Sequence, residues 1–98
     1  MDATEVTAAA EDHASGVVAG DLRRAGSYLS PEARAGAADV MKRMPDSLTS
    51  AQVTSVATHG EGWTVVIEYS GRTGQAIVSS LWAERDGKPR IVGFEEAV

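Results

Sequence analysis

The chain has no cysteine, three prolines and a single phenylalanine. Without cysteine there is no disulfide, no thiol nucleophile and no zinc–thiolate centre. Basic residues are also scarce: nine Lys and Arg stand against fourteen Asp and Glu, for a formal net charge of −5. The only adjacent basic pairs are Arg23-Arg24 and Lys42-Arg43. Phosphate backbones are gripped by clustered cations, so a nucleic-acid partner is not expected. No stretch approaches the ~20 apolar residues needed to span a bilayer, and the start, Met1 to Glu5, is acidic rather than signal-like. A cytoplasmic protein with no membrane partner is the expectation.

What is present fits one globular domain over residues 1–98. Near Pro45 the pattern changes from alanine-rich, with three- and four-residue apolar spacing, to Val-, Ile- and Trp-rich with a period of two. The first part predicts three helices. One runs from about Thr4 to Val18 and carries Val6, Ala9, Ala10, His13 and Val17 as a stripe. Gly20 ends it, and Asp21 caps a second from Leu22 to about Leu29. Ser30-Pro31-Glu32 starts the third, with serine as N-cap and proline at the first helical position; Pro45 stops it. The second part predicts four strands, at Ala51–Thr58, Trp63–Ser70, Gln75–Glu84 and Arg90–Glu95. The turn at Asp86-Gly87 is of the kind hairpins favour. The fold class is therefore α+β, three N-terminal helices packed on a four-stranded antiparallel sheet.

The turns also imply a register. Pairing Ser70 with Gln75 sets Trp63 opposite Trp82, Ile67 opposite Val78 and Tyr69 opposite Ala76. Pairing Arg85 with Lys88 sets Trp82 opposite Ile91. Trp63, Val65, Ile67, Tyr69, Val78, Trp82 and Ile91 then share the face that the helices cover. The other face holds Val66, Ile77, Leu81, Val92 and Phe94 among polar residues. An exposed apolar patch commonly marks an interface, so a homodimer through this outer face is expected.

Three stretches carry a resemblance. Val18-Ala19-Gly20-Asp21-Leu22 hands the first helix to the second, Leu29-Ser30-Pro31 opens the third, and Leu81 to Phe94 forms a closing hairpin around Asp86-Gly87. Together they resemble the nuclear transport factor two-like superfamily, which includes ketosteroid isomerases and SnoaL-type polyketide cyclases. The resemblance implies a cystatin-like, cone-like arrangement in which a curved sheet wraps a pocket. Neither Tyr28 nor Tyr69 stands where the isomerases carry their first-helix tyrosine, so no catalytic role is carried over to them.

Among single residues His13 stands out. On the apolar stripe, it can act as a general base near neutral pH, donate a hydrogen bond, or simply be satisfied in the core. Tyr28, Met41, Met44, Trp63, Tyr69 and Trp82 are the candidate pocket lining, a set suited to a flat apolar ligand or to an ordinary core. Asp46 reads as a turn residue. His13 and His59 lack a ligand spacing, so no metal and no cofactor are expected. Gly71 to Gly74 is a turn rather than a phosphate loop. Three functional expectations follow: a non-catalytic homodimer binding a small apolar molecule or a protein partner, an isomerase-, dehydratase- or cyclase-like enzyme using His13, or a regulatory or assembly domain whose only task is association.

Overall fold

The computed structural model describes residues 1–95. Helix α1 spans Ala3–Ala19. The Asp2 side chain starts it by accepting the Glu5 N–H at 2.8 Å, satisfying a donor that has no partner within the helix. Gly20 ends it in the left-handed region, at φ 72°, and the Asp21 N–H closes back on the Gly16 carbonyl at 2.9 Å. Asp21 also accepts the Arg24 N–H and thereby caps helix α2, Leu22–Gly26. The two helices meet closely at Gly16, where a β-carbon would lie 3.0 Å from the Ala25 nitrogen.

Helix α2 stops three residues short of expectation. Gly26 is a poor helix former, and the backbone beyond it finds other partners. Tyr28 O accepts from Ile91 N at 2.7 Å and Ser30 N donates to Ile91 O at 2.9 Å, a parallel bridge that lays Leu29 against the last strand. The third helix begins as a short 3-10 helix, Pro31–Ala33, before α3 proper at Arg34–Lys42. Ser30 precedes it as expected, but its side chain caps nothing; its hydroxyl is buried without a hydrogen bond.

Four strands follow, β1 Leu48–His59, β2 Gly62–Gly71, β3 Gly74–Arg85 and β4 Lys88–Glu95. They form an open antiparallel sheet in the order β1-β2-β3-β4. Trp63 pairs with Trp82, Ile67 with Val78, Tyr69 with Ala76 and Ser70 with Gln75. Arg85 pairs with Lys88 and Trp82 with Ile91. Asp86 and Gly87, at φ 53° and 76°, make the tight turn that matches the twist of flanking strands.

One feature of β4 departs from strict alternation. Between Trp82–Ile91 and Leu81–Gly93 the register slips by one residue, leaving Val92 as the extra residue of a β-bulge. Phe94 therefore lies opposite Ser80, on the face of Trp82 and Val65. Its ring approaches to 3.0 Å from where a Gly36 β-carbon would stand. The expected placement of Phe94 on the outer face is corrected accordingly: a one-residue insertion reverses the face of everything beyond it.

The core lies between α1 and the inner sheet face. Val6, Ala10, Ala14 and Val17 meet Val65, Ile67, Tyr69, Trp82 and Ile91, with Ala25 and Ala33 beside them. The alanines of α1 let the helix sit close to the sheet, so the large side chains come from the strands. No helix among the described residues is long and apolar enough to cross a membrane.

The cap geometry yields a paired test. A Gly20→Ala β-carbon meets nothing within 4 Å, so its cost is purely the left-handed backbone, about 1 kcal/mol. Gly26→Ala also meets nothing but has a right-handed helical backbone, and should stabilise by up to about 1 kcal/mol. Urea denaturation midpoints moving in opposite directions would bear this out; two shifts of the same sign would contradict the cap.

Candidate functional site

Helices α1, α2 and α3 do not close fully onto the sheet. They leave a cavity of about 120 Å³, bounded by His13 and Val17 of α1, Leu22, Ala25 and Gly26 of α2, and Leu29. Ala37, Val40, Met41 and Met44 close it from the α3 side, and Tyr69, Val78 and Phe94 from the sheet. Among the described residues, His13 and Tyr69 are the only lining side chains with a nitrogen or oxygen.

His13 is 9 % exposed. Its Nδ1 lies 2.9 Å from the Ala25 carbonyl oxygen. A carbonyl can only accept, so Nδ1 is the protonated nitrogen and Nε2 keeps a free lone pair. Burial pushes the imidazole below its ordinary value of 6.5, the Ala25 carbonyl and the nearby Asp12 carboxylate opposing it less strongly. The ring is neutral at pH 7. Burial likewise raises the Tyr69 phenol, which stays protonated and can donate.

Behind His13 stands an aromatic cluster. The His13 ring meets Tyr28 edge-on at 6.0 Å and Trp82 edge-on at 6.1 Å, and Tyr28 tilts against Trp82 at 5.9 Å. Such edge contacts set the positive rim of one ring against the negative face of another. The cluster is fixed at both ends. Trp82 Nε1 donates to Ser80 Oγ at 2.8 Å, and Ser80 Oγ donates to the Val65 carbonyl at 3.1 Å. Tyr28 donates from its hydroxyl to Asp12 at 2.6 Å, while the Arg90 guanidinium lies 5.8 Å over the Tyr28 ring. Asp12 also accepts from Arg24 Nε at 3.0 Å. These two partners, Arg24 foremost, hold the Asp12 carboxyl below the usual carboxylate value.

The residues singled out from the sequence thus separate into two groups. His13, Met41, Met44 and Tyr69 line the cavity. Tyr28 and Trp82 form the wall behind His13 and do not border the cavity, and Trp63 packs at the edge of the core. Phe94, Val78, Leu22 and Val40 were missed as lining. Val78 was legible, since it shares the inner face by alternation, but Phe94 was hidden by the bulge and Leu22 by the short second helix. Asp46 lies in the α3–β1 connection, where its backbone N–H donates to Thr73 Oγ1 at 3.1 Å. No cluster of three His, Asp or Glu able to hold a metal exists among the described residues.

Comparison with protein-family models, with curated proteins and with solved structures returned no match. The reading of the site therefore rests on its own geometry.

The state of His13 has a direct consequence for stability. With the folded value below 6.5, the unfolded chain binds more protons in the interval between the two values. Stability is thus complete above pH 6.5 and declines as the pH falls through the folded value. An NMR titration of the His13 imidazole should give a midpoint below 6.5, with a matching fall in denaturation midpoint that a His13→Gln variant lacks. A midpoint at or above 6.5 would contradict a buried neutral ring.

Proposed function

We propose that this protein is a small-molecule-binding domain whose site is the cavity between the three helices and the inner sheet face. The observation that carries the reading is an apolar cavity left open in a small domain, with one hydrogen-bond acceptor held in a single tautomer at its wall. Leu22 and Met41, which line the cavity, are exposed to solvent, so it is open to an entering ligand. A cavity of about 120 Å³ accommodates a molecule the size of a single benzene ring.

The chemistry of the wall narrows the ligand class. A neutral His13 with its proton on Nδ1 offers a lone pair, so it suits a ligand that donates, such as a phenol or a small alcohol. A protonated Tyr69 suits a second, weaker contact. The lining elsewhere favours an uncharged apolar body, since a bare charge there would lose its hydration without a partner. This arrangement favours binding over catalysis. Among the described residues no carboxylate borders the cavity, so the free Nε2 shares it with only the Tyr69 phenol as a second titratable group. Membership of the nuclear transport factor two-like superfamily is part of the same proposal, supported by three helices preceding a four-stranded antiparallel meander.

The outer sheet face adds little to this reading. Without Phe94 it keeps Val66, Ile77, Leu81 and Val92, of which Ile77 alone is an exposed large apolar side chain, at 60 %. Val66, Leu81 and Val92 are half-buried.

The test is a titration of the protein with phenol, benzyl alcohol and toluene, followed by NMR of the His13 ring and the Met41 and Met44 methyls. All three signals should move with phenol. The hydroxyl compounds should bind about fivefold more tightly than toluene, the worth of one hydrogen bond of about 1 kcal/mol. An Ala37→Leu variant, which fills the space, should stay folded and abolish the shifts. Unmoved signals, or shifts that survive Ala37→Leu, would defeat the proposal.

A further inference from the structure

The strand register sets an order along the floor of the cavity. On β3, alternate residues follow the inner face from Trp82 through Ser80 and Val78 to Ala76. Trp82 meets the His13 ring edge-on at 6.1 Å. Phe94 stands opposite Ser80, Val78 lines the cavity itself, and Tyr69 stands opposite Ala76. From Trp82 to Ala76 the strand rises by about 20 Å, which separates the level of His13 from that of Tyr69. Strand side chains stand roughly perpendicular to the sheet, so much of that spacing persists above it. The two polar groups of the wall therefore address opposite ends of the cavity, with Phe94 and Val78 between them.

The group at the Tyr69 end is unsatisfied. Tyr69 is 1 % exposed, and among the described residues its hydroxyl has no hydrogen-bond partner; burial is the sole cause that raises its phenol. A buried hydroxyl without a partner costs free energy. The Ser30 hydroxyl is unpartnered too, but it is sealed inside the protein. That of Tyr69 is not sealed, and the space it adjoins is the cavity that Tyr69 lines. At the other end the Ala25 carbonyl accepts from His13 Nδ1, which leaves Nε2 as an acceptor. One end thus suits a donor and the other an acceptor. Among the described residues that line the cavity none is Lys or Arg. The acceptor is accordingly uncharged, since a carboxylate would give up its hydration for a single phenol.

Resting on the small-molecule reading of the cavity, we infer that its ligand is an uncharged single-ring compound with a hydroxyl at one end and a carbonyl at the other. The hydroxyl donates to His13 Nε2, and the carbonyl oxygen accepts from the Tyr69 hydroxyl. Tyr69 is then the residue that selects carbonyl-bearing ligands over plain phenols. A lone ligand hydroxyl reaches one end only and leaves the Tyr69 hydroxyl without a partner. The separation of the two ends also sets the substitution pattern, because groups on neighbouring ring atoms would face the same end.

Two compounds of nearly the same shape provide the test: para-hydroxyacetophenone and para-ethylphenol, which differ by a carbonyl in place of a methylene. Their affinities are measured by NMR titration of the full chain and of a Tyr69→Phe variant. The ketone should bind the unaltered protein about fivefold more tightly, as one neutral hydrogen bond allows. That gain should vanish in Tyr69→Phe, whose denaturation midpoint should be unchanged or higher because the oxygen removed has no partner. The ortho isomer of the ketone and para-hydroxybenzoate should both bind more weakly than the para ketone. If Tyr69→Phe does not fold, intermolecular nuclear Overhauser contacts in the unaltered protein decide the point. The acetyl methyl should touch the Tyr69 ring, and contact with the His13 ring in its place overturns the inference. Equal affinity for the two compounds, a gain that survives Tyr69→Phe, or an ortho isomer or benzoate as tight as the para ketone overturns it as well. So long as para-ethylphenol shifts the His13 signal, these outcomes leave the small-molecule reading standing. If none of the compounds binds, both fall.

Discussion

The hydrogen bond between His13 Nδ1 and the Ala25 carbonyl, 2.9 Å long, links the first two helices to the aromatic cluster and the cavity wall. It joins α1 to α2 across the elbow made by Gly16, Gly20 and Asp21. It assigns the imidazole proton to one nitrogen and leaves the other as an acceptor. It also holds the ring edge-on against Tyr28 and Trp82. Burial of an imidazole is costly unless a partner compensates, and the carbonyl is that partner. Without it, the ring would lose its orientation and α2 its inner tie to α1.

The shape of the cavity depends on a second constraint, the bulge at Val92. By moving Phe94 to the inner face, it supplies a large side chain against α3 near Gly36. Bulges are often found where a sheet must re-aim a residue. In this case the effect is to wall one end of the cavity with an aromatic ring, while the outer face loses its largest apolar member. One local irregularity thereby moves an aromatic ring from the outer face to the cavity wall.

The edges of the sheet follow a comparable division. A connection that leaves the helical register early, at Gly26, becomes the cover for β4. Among the described residues no strand pairs with the outer edge of β1, whose uncharged sequence lies beside an open groove.

Much of the architecture was legible from local chemistry. Asp2 and Asp21 as caps, Gly20 as a left-handed terminator and Asp86-Gly87 as a tight turn act through their nearest neighbours, so their roles do not depend on distant parts of the chain. Period-two alternation and turn length together specified the β2–β3 register, including Trp63 against Trp82, because a slip would reverse every side chain. The burial of His13 followed from its place on the stripe of α1. Tertiary structure alone decided the rest. Ala25 as the partner of His13 lies twelve residues away on another helix. Tyr28 and Trp82 became a wall rather than a lining because Asp12 and Ser80 hold their polar ends. Phe94 changed faces because the bulge balances packing against α3 with pairing to β3. Such outcomes are set by contacts between segments far apart in the chain, which no local pattern of residue types encodes.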